Sequence, residues 1–447
     1  MFKKLLVANR GEIAVRVIKG AKKLDIPVVA IYSEADAQAP HVGLADEAFL
    51  IGPPPVAQSY LQMDKIIEIA RESGVDAIHP GYGLLSENAQ FARKCAEAGI
   101  AFIGPSPEVI TAMGDKVQAR ETMKKVGVPV VPGMERPVTG LEDALAAAEE
   151  IGYPVLLKAA AGGGGIGMQA VQQADELARA LQLCQGRAQA YFGDNSVYLE
   201  KYFAEPRHIE IQVLGDTQGN VVHLFERECS IQRRHQKVIE EAPSPFVDPE
   251  MRARMGEVAV KAAKSLGYVG AGTMEFLVDR NKNFYFLEMN TRLQVEHPVT
   301  EMISGVDLVV EQIRIAAGES LNIPAGLSIR GHAIEGRIYA EDPQTLMPAP
   351  GPVNSLEVPE GEGIRFDCGV TAGYQVTPFY DPMIGKLVVW GEDRDQAIRR
   401  MLDVLGRIKL GGLKNNIPLL QSVMSNEQFQ RGEFSTVFLT KLLERGN

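Results

Sequence analysis

A chain of 447 residues is too long for one ordinary hydrophobic core, so two or three domains are the expectation. Its 46 Lys and Arg stand against 57 Asp and Glu, a formal charge of −11 that opposes general nucleic-acid binding and attraction to an anionic membrane; any phosphate site must be local. Cys95, Cys184, Cys229 and Cys368 lie too far apart for a zinc site or a disulfide scaffold and read as buried free thiols. The apolar run after Lys3 is too short for a signal peptide and no run reaches the roughly 18 residues of a membrane span, which makes a cytoplasmic enzyme or binding protein the default.

From the N-terminus to about residue 114 the pattern alternates. Apolar runs at 5–8, 28–32, 77–79 and 101–103 read as strands, and stretches at 12–24, 63–72 and 88–98 as helices. Repeated strand–helix units predict a parallel sheet covered by helices on both faces. The turn Asn9-Arg10-Gly11-Glu12 lacks the G-x-G-x-x-G fingerprint, so this Rossmann-like rhythm does not indicate a dinucleotide. The glycine-rich loop from Pro80 to Asn88 opens a helix at the carboxyl end of a strand, where such sheets commonly meet ligands; a plain structural turn is the competing reading.

A connecting helix at 116–126 leads to Pro129 and Pro132, which punctuate a boundary. Past a helix at 142–151, a strand at 155–158 and a return strand at 168–171 flank the glycines from Gly162 to Gly167. This is a hairpin rather than a P-loop, which needs Gly-Lys-Ser/Thr leading into a helix. Its glycines let the backbone approach an anion closely, as a lid over phosphates would; an idle hairpin tip stands beside that reading. Strands follow at 197–202, 208–214 and 221–225. The run from Ser230 to Lys237 then forms a basic knot between acidic flanks, which is either a salt-bridged surface or a local anion site. The glycine hairpin before it and the carboxylate strand after it favour phosphate.

A helix at 249–266 precedes a strand at 272–278 carrying Glu275, which pairs across a turn at 279–283 with a strand at 284–289. That pairing brings Glu275 within reach of Glu288. Alternation along the second strand puts Glu288 and Asn290 on one face, and the even numbers continue through Arg292, Gln294 and Glu296. A straight strand would hold Glu288 and Glu296 roughly 27 Å apart, so the strand is expected to end near Asn290 and the chain to curl back. Pro298 fits that break, since it disfavours helix at His297. Two carboxylates and an amide oxygen are hard ligands suited to Mg²⁺ or Mn²⁺ holding ATP phosphates; a solvated strand face with paired charges is the alternative for this stretch alone. A helix at 306–317, a strand at 332–340 containing Arg337, a strand at 385–390 and helices at 394–407 and 437–443 complete an α+β closing region.

Four segments together resemble biotin carboxylase, the ATP-grasp subunit of biotin-dependent carboxylases, over essentially the whole chain. They run from Ala8 to Ala14, from His79 to Gly83, from Gln232 to Lys237, and from Glu288 to Pro298. The resemblance implies a mixed α/β and α+β fold: a Rossmann-like N-terminal domain over 1–114, an ATP-grasp domain over 115–330 with a lid subdomain at about 131–203, and a C-terminal domain over 331–447. It implies that Lys116, Lys158, Gly164, Gly165, Glu200, Lys201, Tyr202 and Phe203 hold ATP, with His208, Gln232, His235 and Leu277 beside it. Glu275, Glu288 and Asn290 would bind the Mg²⁺ or Mn²⁺ ions. Lys237, Arg292, Gln294 and the Val295 backbone would hold bicarbonate, Glu296 would act as base, and Tyr82, Gly83 and Arg337 would face biotin.

The implied reaction passes through carboxyphosphate, with biotin on a separate biotin carboxyl carrier protein, since no Ala-Met-Lys-Met acceptor sequence occurs. Carboxyltransferase subunits would complete the assembly, and a homodimer is expected although Lys19, Lys23 and Glu362 depart from the dimer contacts of the bacterial acetyl-CoA carboxylase subunit. Ile166 stands where the family usually carries arginine or lysine. Acetyl-CoA carboxylase, and with it fatty acid biosynthesis, is the leading expectation; a pyruvate or propionyl-CoA carboxylase, or another ATP-grasp ligase such as a carbamoyl-phosphate synthetase half, is the alternative.

Overall fold

The computed structural model describes residues 1–159, 168–192, 194–234, 236–324 and 326–445. Strands β1 (Leu5–Val7), β2 (Val28–Ser33), β3 (Glu47–Gly52), β4 (Ala77–His79) and β5 (Ala101–Phe102) form a parallel sheet in the order β3-β2-β1-β4-β5. Leu5 and Val7 pack with apolar residues of helices Gly11–Lys22 and Leu308–Ala316, whereas Leu6 and Ala8 pack with Ile66 and Phe91 on the other face. Burial on both faces explains the unbroken apolar run, because neither face needs polar residues. β3 is an addition to the sequence expectations: it lies at the sheet edge, and its exposed Glu47 and Leu50 blur its pattern.

Strand order reverses between β1 and β4, and the crevice at the carboxyl ends of such a pair is where open α/β sheets take ligands. Asn9 ties the two loops there, its Nδ2 donating to Pro80 O at 2.7 Å and to Tyr82 O at 2.8 Å. Gly81 between them has φ 64°, and a Cβ would lie 2.8 Å from Asn9 Nδ2, so this clamp requires glycine.

A small antiparallel sheet follows, β6 (Val155–Ala159), β7 (Met168–Val171) and β8 (Val197–Lys201) in the order β7-β6-β8. Lys158 stands opposite Met168, as a hairpin requires; Gly164, Gly165 and Ile166, expected at its tip, lie outside the described residues. Helix Ala174–Phe192 packs on this sheet through Leu177, Ala180, Leu181 and Cys184. These keep helical spacing, yet the element is another addition to the sequence expectations.

The remaining strands are β9 (Arg207–Gly215), β10 (Val221–Arg233), β11 (Gln236–Ala242), β12 (Gly270–Val278), β13 (Phe284–Asn290), β14 (His332–Tyr339), β15 (Ser355–Glu357), β16 (Ile364–Cys368), β17 (Met383–Gly391) and β18 (Lys409–Gly411). β15 pairs with β18; the other eight make one antiparallel sheet in the order β13-β12-β9-β10-β11-β14-β17-β16. Because β11 pairs with β14, this sheet passes residue 331 without a break. β9 shows its two sides: Ile209, Ile211 and Val213 enter the core beneath helix Pro249–Ser265, so alternation turns His208, Glu210 and Gln212 to the opposite face. Glu241 fastens the β11–β14 join, accepting from Arg394 Nε and His332 Nε2, each at 2.6 Å. Cys95 and Cys229 are buried free thiols as expected and Cys184 is buried as well, but Cys368 is only partly buried. Among the described residues no helix is long and apolar enough to cross a membrane.

Candidate active site

A row of charged side chains crosses the large sheet, and the register shows why they share a face. Glu288 on β13 stands opposite Glu275 on β12, which on its other side stands opposite Glu210 on β9, itself opposite Arg227 on β10. Gln232 opposes Lys237, Glu240 opposes Glu335, and Arg337 opposes Lys386 on β17. At about 4.8 Å per strand the row spans roughly 29 Å.

The carboxylate pair depends on a β-bulge. Glu275 pairs with Glu288 but Phe276 pairs with Phe286, leaving Leu287 as the extra residue, exposed. The slip lets even-numbered Phe284 and Phe286 and odd-numbered Met289 all enter one core, while Glu288 and Asn290 turn to the site. Strict alternation holds only beyond the bulge. β13 ends at Asn290 as expected, and residues 291–296 curl over the sheet. The expectation for Pro298 needs correction: helix His297–Ser304 begins there, with proline in its first turn, where its missing N–H costs nothing.

Lys237 is the hub. Its Nζ lies 2.6 Å from Glu210 Oε2, 2.9 Å from Glu275 Oε1, 3.1 Å from Gln294 Oε1 and 2.6 Å from Glu296 Oε1. Burial pulls this ammonium toward deprotonation, and the surrounding carboxylates more than reverse it, holding its pKa well above the ordinary lysine value. Glu275 also accepts from Asn290 Nδ2 at 3.0 Å and Gln294 Nε2 at 2.9 Å, and His208 Nε2 lies 2.9 Å from it. Burial would raise the Glu275 carboxyl, but Lys237 and His208 hold it well below the usual carboxylate range. Gln232 Nε2 lies 3.0 Å from His208 Nδ1, so Gln232 and His208 join the same network. Leu277, half-buried, stands opposite His208 on the neighbouring strand.

Glu296 is 1% exposed and bridges two cations, Lys237 at 2.6 Å and Arg337 Nη2 at 2.9 Å. Arg337 also donates from Nε to Glu240 Oε1 at 2.7 Å. Burial lifts the Glu240 carboxyl to about 7, with Arg337 pulling the other way and Glu296 adding to the rise. Arg337, Tyr82, Gly83 and Val295 line one cavity of about 430 Å³ at the crevice between β1 and β4, together with Asn9 and Tyr339. The Tyr82 hydroxyl donates to Glu12, and Lys386 Nζ, fully buried, lies 3.2 Å from Glu12 and 2.5 Å from Val295 O. Every residue assigned to biotin by resemblance therefore meets in one space.

Arg292 turns differently from the rest of its segment. Its Nε donates to Glu87 Oε2 at 2.8 Å and its Nη2 to Asn290 Oδ1 at 3.1 Å. On the small sheet, Lys158 Nζ donates to Glu200 Oε2 at 2.8 Å, and the Phe203 ring stacks on Tyr285 with centroids 5.0 Å apart. Lys201 Nζ is engaged by Gly152 O at 2.7 Å and Tyr153 O at 3.0 Å, and the Tyr202 backbone N–H donates to Pro154 O at 3.1 Å. Lys116 opens helix Lys116–Lys125, is exposed, and pulls the Glu288 carboxyl downward electrostatically. His235 lies outside the described residues.

Sequence reasoning missed Glu210, Arg227, Glu240, Glu335 and Lys386 as site residues. Arg227 is completely buried; it pairs with Glu210 and donates to Gln212 Oε1 at 2.7 Å, Thr300 Oγ1 at 2.9 Å and Thr273 Oγ1 at 3.0 Å. Glu335, 0% exposed, has no hydrogen-bond partner on either oxygen among the described residues, and burial holds its carboxyl well above the usual range, with Lys386 pulling the other way. The alternation of polar residues in His208-Ile209-Glu210-Ile211-Gln212 was a legible signal for Glu210.

Comparison with known proteins gives this geometry its family. Residues 1–110 match the model for the biotin carboxylase N-terminal domain, 115–324 that for the carbamoyl-phosphate synthase L chain ATP-binding domain, and 335–441 that for the biotin carboxylase C-terminal domain. The chain belongs to the biotin carboxylase family. As a biotin carboxylase it is an ATP-dependent ligase with the three-part architecture of that family. A biotin carboxylase of Halalkalibacterium halodurans is 58% identical over 99% of this chain and 98% of its own length. A pyruvate carboxylase subunit of Methanothermobacter thermautotrophicus is 55% identical, over 98% of this chain and 90% of its own. Among solved structures, the biotin carboxylase domain dimer of Hydrogenobacter thermophilus 2-oxoglutarate carboxylase, in complex with MgADP, ADP and bicarbonate, is 50% identical with a TM-score of 0.90 and 99% of each chain covered.

Proposed function

We propose that the row of charged side chains divides biotin carboxylation between its ends, with phosphoryl transfer from MgATP to bicarbonate near β12 and β13 and carboxylation of biotin near β14. The observation that carries this reading is the bridge Lys237–Glu296–Arg337, which joins the carboxylate pair to the cavity behind Tyr82 and Gly83.

The residues present fit a divalent cation: Glu275 and Glu288 are directly opposed, and burial together with the Glu275 charge pushes the Glu288 carboxyl upward, a repulsion that a cation between them would remove. Glu275, Glu288 and Asn290 would hold it, and their oxygen donors suit Mg²⁺. The ion supplies charge neutralisation for the nucleotide phosphates. Lys116, Lys158 and the segment from Glu200 to Phe203 stand on the lid side for the rest of ATP.

Lys237, Arg292 and Gln294 supply the donors for bicarbonate, with the Val295 backbone beside them. In the free site Glu296 is a poor base, because burial is outweighed by Lys237, Arg337 and Arg227, which hold it well below the usual carboxylate range. An arriving bicarbonate competes for the Lys237 ammonium and so raises the basicity of Glu296 as the substrate binds. Glu296 takes the bicarbonate hydroxyl proton, a bicarbonate oxygen attacks the γ-phosphorus, and the bond to ADP breaks to leave carboxyphosphate. Its breakdown yields CO₂ and phosphate; the phosphate removes the ureido N–H proton of biotin, and the resulting nitrogen attacks CO₂. Arg337 stabilises the negative charge that develops on the ureido oxygen.

The enzyme acts in the cytoplasm as a homodimer, with a biotinylated carrier and a carboxyltransferase as partners. Acetyl-CoA is the final acceptor in this reading, supported by the slightly higher identity to the relative named simply biotin carboxylase than to the pyruvate enzyme. Reconstitution with the transferase that co-purifies is expected to carboxylate acetyl-CoA. Product from pyruvate or 2-oxoglutarate instead would move the chain to another assembly while leaving its half-reaction intact.

A further inference from the structure

Glu87 lies outside every role assigned above, yet it is the residue that holds Arg292. Its Oε1 accepts from the Thr291 backbone N–H at 2.9 Å and from Thr291 Oγ1 at 3.2 Å, while Oε2 accepts from Arg292 Nε at 2.8 Å. A lone surface ion pair contributes little, and the Glu87 side chain is 38% exposed. Three donors on one carboxylate, one of them backbone, make a different object: its position is fixed by the turn it grips, and it in turn fixes the guanidinium. The opposite edge of that guanidinium rests on Asn290 Oδ1 at 3.1 Å and Leu293 O at 3.2 Å.

Glu87 belongs to the loop that carries Tyr82 and Gly83, and this loop is itself rigid. Asn9 clamps Pro80 O and Tyr82 O, Ser86 N–H donates to Gly83 O at 2.9 Å, and Asn88 caps the following helix by accepting from Phe91 N at 2.9 Å. One short segment therefore presents two residues to the biotin cavity and a third to the guanidinium across the crevice.

We propose that Glu87 is the positioning residue of Arg292, setting its guanidinium for bicarbonate from the loop that also lines the biotin cavity. The proposal rests on the assignment of Arg292 to bicarbonate.

The test is steady-state ATP cleavage titrated separately with bicarbonate and with ATP, on Glu87→Gln, Arg292→Ala and the double variant, each checked by thermal melting. Glutamine keeps an oxygen for Thr291 N and Oγ1 but turns an NH₂ toward Arg292 Nε, so it spares the loop clamp and breaks the guanidinium contact. Glu87→Gln is expected to raise KM for bicarbonate about tenfold, with KM for ATP and the melting temperature unchanged, and to add nothing in the Arg292→Ala background. An unchanged bicarbonate KM, equal rises in both KM values, or additive losses in the double variant would overturn it. A bicarbonate KM unmoved by Arg292→Ala alone would instead overturn the assignment of Arg292, and the proposal with it; that single variant tells the two failures apart.

Discussion

Replacing Lys237 with methionine is expected to lower bicarbonate-dependent ATP cleavage by about 10³-fold, because the ammonium proposed to hold bicarbonate is also the common counter-ion of Glu210, Glu275 and Glu296. Methionine fills the volume but strips these carboxylates of their shared cation, leaving Glu210 with Arg227, Glu275 with His208 and Glu296 with Arg337, and removing one partner of a buried charge cluster costs about 3–5 kcal/mol. The variant should relieve this by taking up protons. In the parent, Glu275 titrates well below the ordinary carboxylate range, so its stabilising contribution is present above the unfolded pKa and is lost only as pH falls through the depressed folded value. In Lys237→Met the depression of Glu275 is weakened and the buried carboxylates repel one another, so protonation relieves them and stability should increase as pH falls from neutral toward 5. Lys237→Arg should also fail, since a planar fork cannot address four acceptors converging on one point. Chemical denaturation at two pH values beside the cleavage assay checks both parts. Near-normal cleavage, or stability that does not rise between neutral pH and 5, would remove Lys237 from the centre of the site.

The second large effect concerns Arg337. Arg337→Ala should lose roughly 10²- to 10³-fold in biotin carboxylation, the scale of removing one preorganised stabiliser of developing charge. Bicarbonate-dependent ATP cleavage should fall far less, but it should not be untouched. Arg337 donates to Glu296 at 2.9 Å, so its loss frees the base from one of two cations while Lys237 retains it at 2.6 Å. A change of no more than about tenfold in cleavage is expected, in line with a hydrogen bond to a charged group. Both activities measured on one preparation give the ratio. Equal losses would show that Arg337 serves phosphoryl transfer or the fold.

How far the site was legible varied with the distance over which its contacts act. That Glu275 and Glu288 come within reach of each other is local hairpin geometry, legible from a short turn between two recognisable strands, although their direct opposition needs the bulge. The basic knot shows where local reasoning stops. The run divides between two places: Gln232 opposes Lys237 across the β10–β11 hairpin, which sends Lys237 into the charged row, while the adjacent Arg233 turns away to pair with Glu341 at 2.7 Å. Only the register separates them. Arg227 looks like a surface charge in the sequence and is wholly buried, because its partners come from β9, β12 and the helix after Glu296. Arg337 reaches across strands to Glu240 and Glu296 rather than to Glu335 or Glu341, its near neighbours in sequence. The grip of Glu87 on Arg292 joins positions 205 residues apart, with no pattern in either segment to announce it.

The fold was legible where periodicity was clean. The doubly covered parallel sheet followed from repeated strand–helix units, whereas the bulge at Leu287 did not, since a one-residue slip leaves apolar and polar residues equally plausible in either register. The continuous sheet across residue 331 was likewise hidden, because strand pairing at a distance carries no local signal.

In the proposed mechanism one buried network couples phosphoryl transfer to bicarbonate with carboxylation of biotin. Its most direct test is MgATP cleavage by the purified chain with bicarbonate and free biotin added singly and together. The account predicts little cleavage without bicarbonate, a bicarbonate-dependent rate, and a further rise on adding biotin accompanied by carboxybiotin. A cleavage rate indifferent to both additions would contradict it.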